Sequence, residues 1–251
     1  MSTVRVEVDD GVATLGWGRS AVRNAMDAAT ARELTARLRE LATRDDVAAV
    51  ILQPAPGAFC AGWDIAELRS LGDATPDDVR AFLDGNLELV DAVTTSPQVT
   101  VALVDGPCLG FGAALAARCD ISLASERSTV GFPEATINVV PAIAAMDVVA
   151  VLPSGRAIDW LATGRVRPAA IARDDGLLGE VVSTDEFAAA ADELRTSLTA
   201  VGPATVRETK RLITRMADAT GAERRRLGLD AAVATLRDAV APSETSGDAR
   251  P

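Results

Sequence analysis

Three segments carry the side chains and turns from which a reaction could be built: Phe59-Cys60-Ala61-Gly62-Trp63-Asp64, Asp105-Gly106-Pro107-Cys108-Leu109-Gly110-Phe111-Gly112, and Gly131-Phe132-Pro133-Glu134. Each of the first two follows an apolar run with the look of a buried strand (Val47 to Leu52, Val99 to Val104) and opens into a helical pattern. Glycine turns at helix starts leave backbone N–H groups without acceptors, with the positive end of a helix behind them. Two such turns facing one another make a pocket for an oxygen that becomes negative during reaction. The third segment adds one carboxylate. Two amide donors and one acid/base group suffice to form and re-protonate an enolate.

Composition narrows the chemistry further. The 251 residues include no histidine and no tyrosine. That excludes Ser-His-Asp and Cys-His nucleophilic sites and histidine-ligated metal centres. Proton transfer falls to carboxylate, lysine, thiol or water. A formal charge of −11 argues against a nucleic-acid partner, since no basic stripe is present to displace counterions. No charged-then-apolar leader and no apolar run long enough to span a bilayer is visible, so no membrane is expected, and without histidine or metal-site cysteine spacing no metal is expected either. Cys60, Cys108 and Cys119 lack metal-site spacing and read as small packing residues in a reducing cytoplasm. Gly110-Phe111-Gly112 resembles the start of a dinucleotide fingerprint, but Leu115 stands where its third glycine belongs.

The elements that must position these segments read as follows. Val4 to Val8 and Val12 to Leu15 flank Asp9-Asp10-Gly11 as a β-hairpin. A helix from Asp27 carries Leu34, Leu38 and Leu41 on one face, with Thr30 and Glu33 as a capping box. Asp77 to Val93 is amphipathic, and Asp64 is placed to cap a helix of its own. A short helix of small residues follows the second glycine turn, then a strand at Ile121 to Ala124. Beyond Glu134 the pattern is mainly helical: Ala144 to Leu152, Ala157 to Ala162, Ala188 to Leu198, Ala204 to Met216 and Glu223 to Val240, with a short strand at Glu180 to Val182. The division expected is an α/β core over residues 1–200, a helical region over 203–240 and a polar, disordered tail over 242–251.

Taken together, Arg23-Asn24-Ala25-Met26-Asp27, the three segments above, Arg118-Cys119-Asp120-Ile121, Ala162-Thr163-Gly164-Arg165 and Gly176 through Val182 resemble the enoyl-CoA hydratase/isomerase (crotonase) family in order and near spacing. The resemblance implies a spiral of β-β-α turns with a helical C-terminal region that builds trimers, often paired into hexamers. It implies acyl-CoA thioesters as ligands, with CoA entering as part of the substrate and no separate cofactor. It assigns the oxyanion-hole N–H groups to Trp63 and to Phe111, a position usually held by glycine, where the ring should narrow or redirect the acyl pocket. The turn formed by Cys60, Ala61, Gly62, Asp64 and Ile65 should line the CoA, with Arg23 near its phosphates.

The resemblance also locates the acids. Hydratases of the family use two glutamates; the first position is Ala114 here and the second is Glu134. Some isomerases place an acid at the position of Ala142. Glu134 is thus the single expected catalytic carboxylate, walled by Val130, Phe132 and Ile137, with a raised pKa that suits proton shuttling. Moving a double bond needs one group to take a proton and return it elsewhere, so isomerisation is favoured. The alternatives are a hydratase or decarboxylase using ordered water, and a catalytically silent acyl-CoA-binding or assembly subunit.

Overall fold

A computed structural model describes residues 4–240; the expected tail over 242–251 lies outside them. Two compact units are present, one ending at Arg207 and one beginning at Glu208, so the boundary falls inside the helix that starts at Pro203.

The chain opens with a hairpin, β1 (Val4–Asp9) and β2 (Val12–Trp17), paired antiparallel. Its two-residue turn is Asp10-Gly11, both at positive φ (49° and 77°), the left-handed pair whose twist matches the strands it joins. Next come α1 (Ala28–Ala42) and β3 (Ala49–Leu52), then α2 (Ile65–Ser70), α3 (Pro76–Thr94) and β4 (Val99–Val104). After these run β5 (Pro107–Leu109), α4 (Phe111–Ala117), β6 (Ile121–Ser125) and β7 (Thr129–Gly131). A 3-10 stretch, Pro133–Ile137, leads to α5 (Ala142–Val151), α6 (Ser154–Thr163), β8 (Val166–Pro168), α7 (Ala169–Asp175), β9 (Glu180–Val182) and α8 (Phe187–Thr199). The last helices are α9 (Pro203–Ala217) and α10 (Gly221–Val240). Thr75 and Asp78 form a full capping box on α3. On α1 the cap is Asp27, whose carboxylate accepts from Thr30 N–H, rather than the expected Thr30–Glu33 box.

The large sheet has the order β1-β2-β3-β4-β6-β9, parallel from β2 onward. The inner strands β3 and β4 are buried on both faces because helices cover both. In β3, Val50 and Leu52 join the core beneath α1 and α3, whereas Ala49 and Ile51 join the cluster that receives Phe187 and Leu194 of α8. A second, three-stranded sheet (β5-β7-β8) was not foreseen. It shows the spiral directly: β4 leads into β5 and α4, then β6 leads into β7 and the 3-10 turn. The bridge between Cys60 and Cys108 brings the segment after β3 alongside β5 in the same way.

Asp120 explains part of the Arg118–Ile121 motif. Its carboxylate accepts from the N–H and hydroxyl of Thr100 at 2.7 and 2.9 Å, locking the start of β6 to β4. No helix among the described residues is long and apolar enough to cross a membrane.

Candidate active site

The first glycine turn is held by Met26. Met26 N–H donates to Gly62 O at 2.8 Å, and Asp64 N–H donates to Met26 O at 2.8 Å. Backbone groups alternate sides along an extended segment. With residues 62 and 64 turned toward Met26, the Trp63 N–H turns away from it. Asn24, fully buried, ties this turn to the loop before it: its amide donates to Ala55 O and Ala58 O at 2.7 and 2.8 Å.

The second donor follows from the start of α4. Gly110 N–H is spent on Gly131 O and Ala114 N–H returns to Gly110 O. Phe111, as the first helical residue, has no acceptor within the helix for its own N–H. The two turns are in contact. A Cβ on Gly112 would lie 2.5 Å from Cys60 O, and one on Gly62 would lie 3.3 Å from Leu109 O.

Glu134 completes the group. A Cβ on Gly110, which sits at φ +52°, would lie 2.5 Å from Glu134 Oε1 and 3.7 Å from the Gly62 Cα. The carboxylate therefore rests on the bare Cα between the two turns. Glu134 Oε2 is shielded from solvent and has no hydrogen-bond partner, and burial pushes the Glu134 pKa up. The apolar wall differs from expectation. Val130 and Phe132 are fully buried beside it, but Ile137 is 71% exposed and forms no wall. The 3-10 turn carries its side chain outward.

The other expected contacts separate by accessibility. Cys60 is wholly buried, and burial pushes its thiol up to about 11. Its side chain packs in the core, which leaves only the backbone of this residue to face a ligand. Asp64 caps α2 by accepting from Ala66 and Glu67 N–H and is salt-bridged to Arg19 at 2.6 Å. Its carboxylate, held below the usual range mainly by the Arg19 hydrogen bond, thus fixes the turn. Ala61 is half-buried, Gly62 is buried, and Ile65 is exposed. Arg23 is exposed, in a left-handed backbone conformation whose carbonyl accepts from Ala61 N–H.

Arg19 went unnoticed in the sequence. It binds Ala25 O, Asp64 and Asp27 at once, at 2.7, 2.6 and 3.2 Å, and so joins the hairpin, α1 and α2 at the turn. No motif announces it; only its position after β2 hints at the role.

The second acid positions are as sparse as the sequence indicated. Ala114 is buried at 1% exposure in the first turn of α4, and Ala142 is exposed at the start of α5. A different acid, Asp147 of α5, is buried and has its pKa raised to about 6, chiefly by burial, with Arg118 opposing and Asp91 adding to the rise. It lies 3.6 Å from Arg118 Nε. Arg118 closes the C-terminal end of α4, about 10 Å along the helix from the Phe111 amide. Asp147 thus pairs with the residue at the opposite end of α4 from the Phe111 amide.

Two closely packed turns, each with a backbone amide left without a local acceptor, and a desolvated carboxylate against the Gly110 Cα are groups that could stabilise an oxyanion and move a proton beside it. The profile of the enoyl-CoA hydratase/isomerase family matches residues 7–240, and the chain belongs to that family of enzymes. A curated Rhizobium meliloti protein, "Probable enoyl-CoA hydratase", is 33% identical over 186 residues, covering 74% of this chain and 70% of the relative. The enoyl-CoA hydratase of Mycobacterium smegmatis superposes with a TM-score of 0.86 at 22% identity, covering 97% of this chain and 93% of that one. A Thermobifida fusca YX structure in complex with CoA gives a TM-score of 0.82 at 25% identity, with 94% of each chain covered. The fold is thus the crotonase fold, with its helical C-terminal region.

Proposed function

We propose that the protein acts on an acyl-CoA thioester through an enolate, and that double-bond isomerisation outruns hydration. The thioester oxygen sits between the Trp63 and Phe111 amides, which are aimed before the charge develops and need no reorganisation when it does. Glu134 takes a proton from C2 of a 3-enoyl-CoA, the charge spreads over the dienolate, and the same carboxylate returns the proton at C4. Burial favours the protonated form of Glu134, so the acid that forms in the first half-step is held ready for the second. Hydration asks for water activation and carbon protonation together, a task for two groups. The observation that supports isomerisation is the lone Glu134, with Ala114 and Ala142 at the other acid positions. The hydratase names among the relatives favour a second reading, hydration through water ordered by Glu134.

The CoA portion lies along Ala61 to Ile65, with Arg23 reaching its phosphates; its exposure and a CoA complex among the structural relatives support this. We also propose a trimer or a pair of trimers. Val140, Met146, Val149 and Ile158 are exposed in the first unit, and Ile213, Leu229, Val233 and Leu236 in the second. Apolar surface of this extent marks interfaces. Sedimentation at micromolar concentration should show trimers or larger; a stable monomer refutes this.

The deciding experiment is turnover of paired 3-enoyl- and 2-enoyl-CoAs by wild type and Glu134→Gln. Isomerisation should be faster in wild type and fall at least about a hundredfold in the variant, with CoA binding retained. Hydration that survives Glu134→Gln refutes the single-carboxylate mechanism. Binding without turnover on any acyl-CoA identifies a silent subunit.

A further inference from the structure

The chain has only eight aromatic residues, three Trp and five Phe, yet three of them meet beside the two amide donors. The Trp63 ring lies 5.7 Å from that of Phe82, edge to face at 78°. It lies 6.2 Å from that of Phe111, tilted by 32°. Trp63 and Phe111 belong to the oxyanion turns themselves. Phe82 comes from α3, one helical turn before the buried Asn86, Leu89, Val90 and Val93 face, and it remains half-buried.

These distances leave no passage between the rings. A methylene chain needs about 4 Å of clearance to heavy atoms on either side, or roughly 8 Å between ring planes. Both pairs are instead at ordinary aromatic packing distance. The Trp63 indole Nε1 is shielded without a partner, so its hydrogen bonding does not account for where the ring sits. The backbones of Trp63 and Phe111 are pinned by Met26 and by α4. Phe82 is the one ring of the three whose backbone carries no donor for the oxyanion.

We propose that Phe82 is a specificity-determining residue that closes the acyl pocket and restricts the enzyme to short acyl groups. The inference rests on the reading that the Trp63 and Phe111 amides hold the thioester oxygen. From that oxygen the acyl group extends toward the ring layer, and a longer chain must displace Phe82.

The test compares wild type, Phe82→Ala and the milder Phe82→Leu on enoyl-CoAs from butenoyl to dodecenoyl. Calorimetric affinities for the matching saturated acyl-CoAs and for CoA itself are measured in parallel. Wild type should favour the shortest substrates. Phe82→Ala should raise the ratio of octenoyl to butenoyl kcat/KM at least tenfold, with Phe82→Leu between, and Kd for CoA should not change. If no substrate turns over, the catalytic reading has failed. The affinities then decide the closure alone: wild-type binding must weaken with chain length and the variants must relieve that weakening. An identical length profile in wild type and both variants overturns the proposal, as does a wild-type preference for long-chain or aryl acyl groups.

Discussion

Replacing Gly110 with alanine tests whether the glycine turn and the carboxylate form one device. The new Cβ would arrive 2.5 Å from Glu134 Oε1, whereas ordinary contact begins near 3.4 Å. The carboxylate must retreat by roughly 1 Å, a displacement that costs on the order of a hundredfold when it spoils the alignment of a reacting group. At φ +52° and ψ −121° Gly110 lies outside the left-handed helical region, in sparsely populated backbone that costs about 1–3 kcal/mol for a residue bearing a Cβ. For a chain of this length that is a fall in Tm of roughly 2–12 °C. Turnover on the preferred acyl-CoA should therefore drop about a hundredfold in a variant that still folds and still binds CoA in calorimetry. The same alanine in a Glu134→Gln background should lower Tm but slow residual turnover little, because no proton transfer remains to misalign. A folded Gly110→Ala variant with wild-type turnover would refute the placement of Glu134 on this Cα. So would losses that simply multiply in the double variant.

Arg23→Ala should weaken CoA binding about two- to fivefold, the scale of an exposed ion pair, and do so less at high salt; unchanged calorimetric affinity means Arg23 touches no phosphate. Asp147 sets a pH dependence of stability. Its pKa of about 6 exceeds the ordinary 3.8, so the folded protein holds a proton that the unfolded chain has released, and the stabilisation present below pH 3.8 is lost as pH rises to about 6. Asp147→Asn should flatten Tm against pH across that window, whereas an unaltered slope assigns the dependence to other groups.

The elements that place the site were readable because their signals are long. The β3 and β4 runs are apolar on both faces, as strands covered on both sides must be, and α3 shows its period over many turns. The three strands of the small sheet span three residues each, Pro107–Leu109, Thr129–Gly131 and Val166–Pro168. Three residues cannot display a period of two, and the prolines and glycine within them read as loop. Of the site, the resemblance supplied the amides and Glu134, while Gly110 against Oε1 is a contact across segments that no local pattern encodes. Ile137 failed as a wall because an apolar residue three positions from an acid says nothing about which way a 3-10 turn faces. Phe82 looked like one more apolar residue on an amphipathic face, and only its distance to Trp63 sets it apart.

The register of the large sheet has a kinetic consequence. Val12 pairs with Asp9 across a two-residue turn, but Ala49 pairs with Val99 and Leu123 with Glu180. Parallel neighbours this far apart in sequence must close long loops before any ladder bond repays the entropy. The hairpin can thus form early from local contacts, while the β3–β4 seam waits for α2 and α3 to be in place. The turns that carry Trp63 and Phe111, to which the proposed oxyanion donors belong, come after the two strands of that seam. Refolding should therefore restore helical signal well before it restores ligand binding, since the pocket exists only once its most distant strands have met.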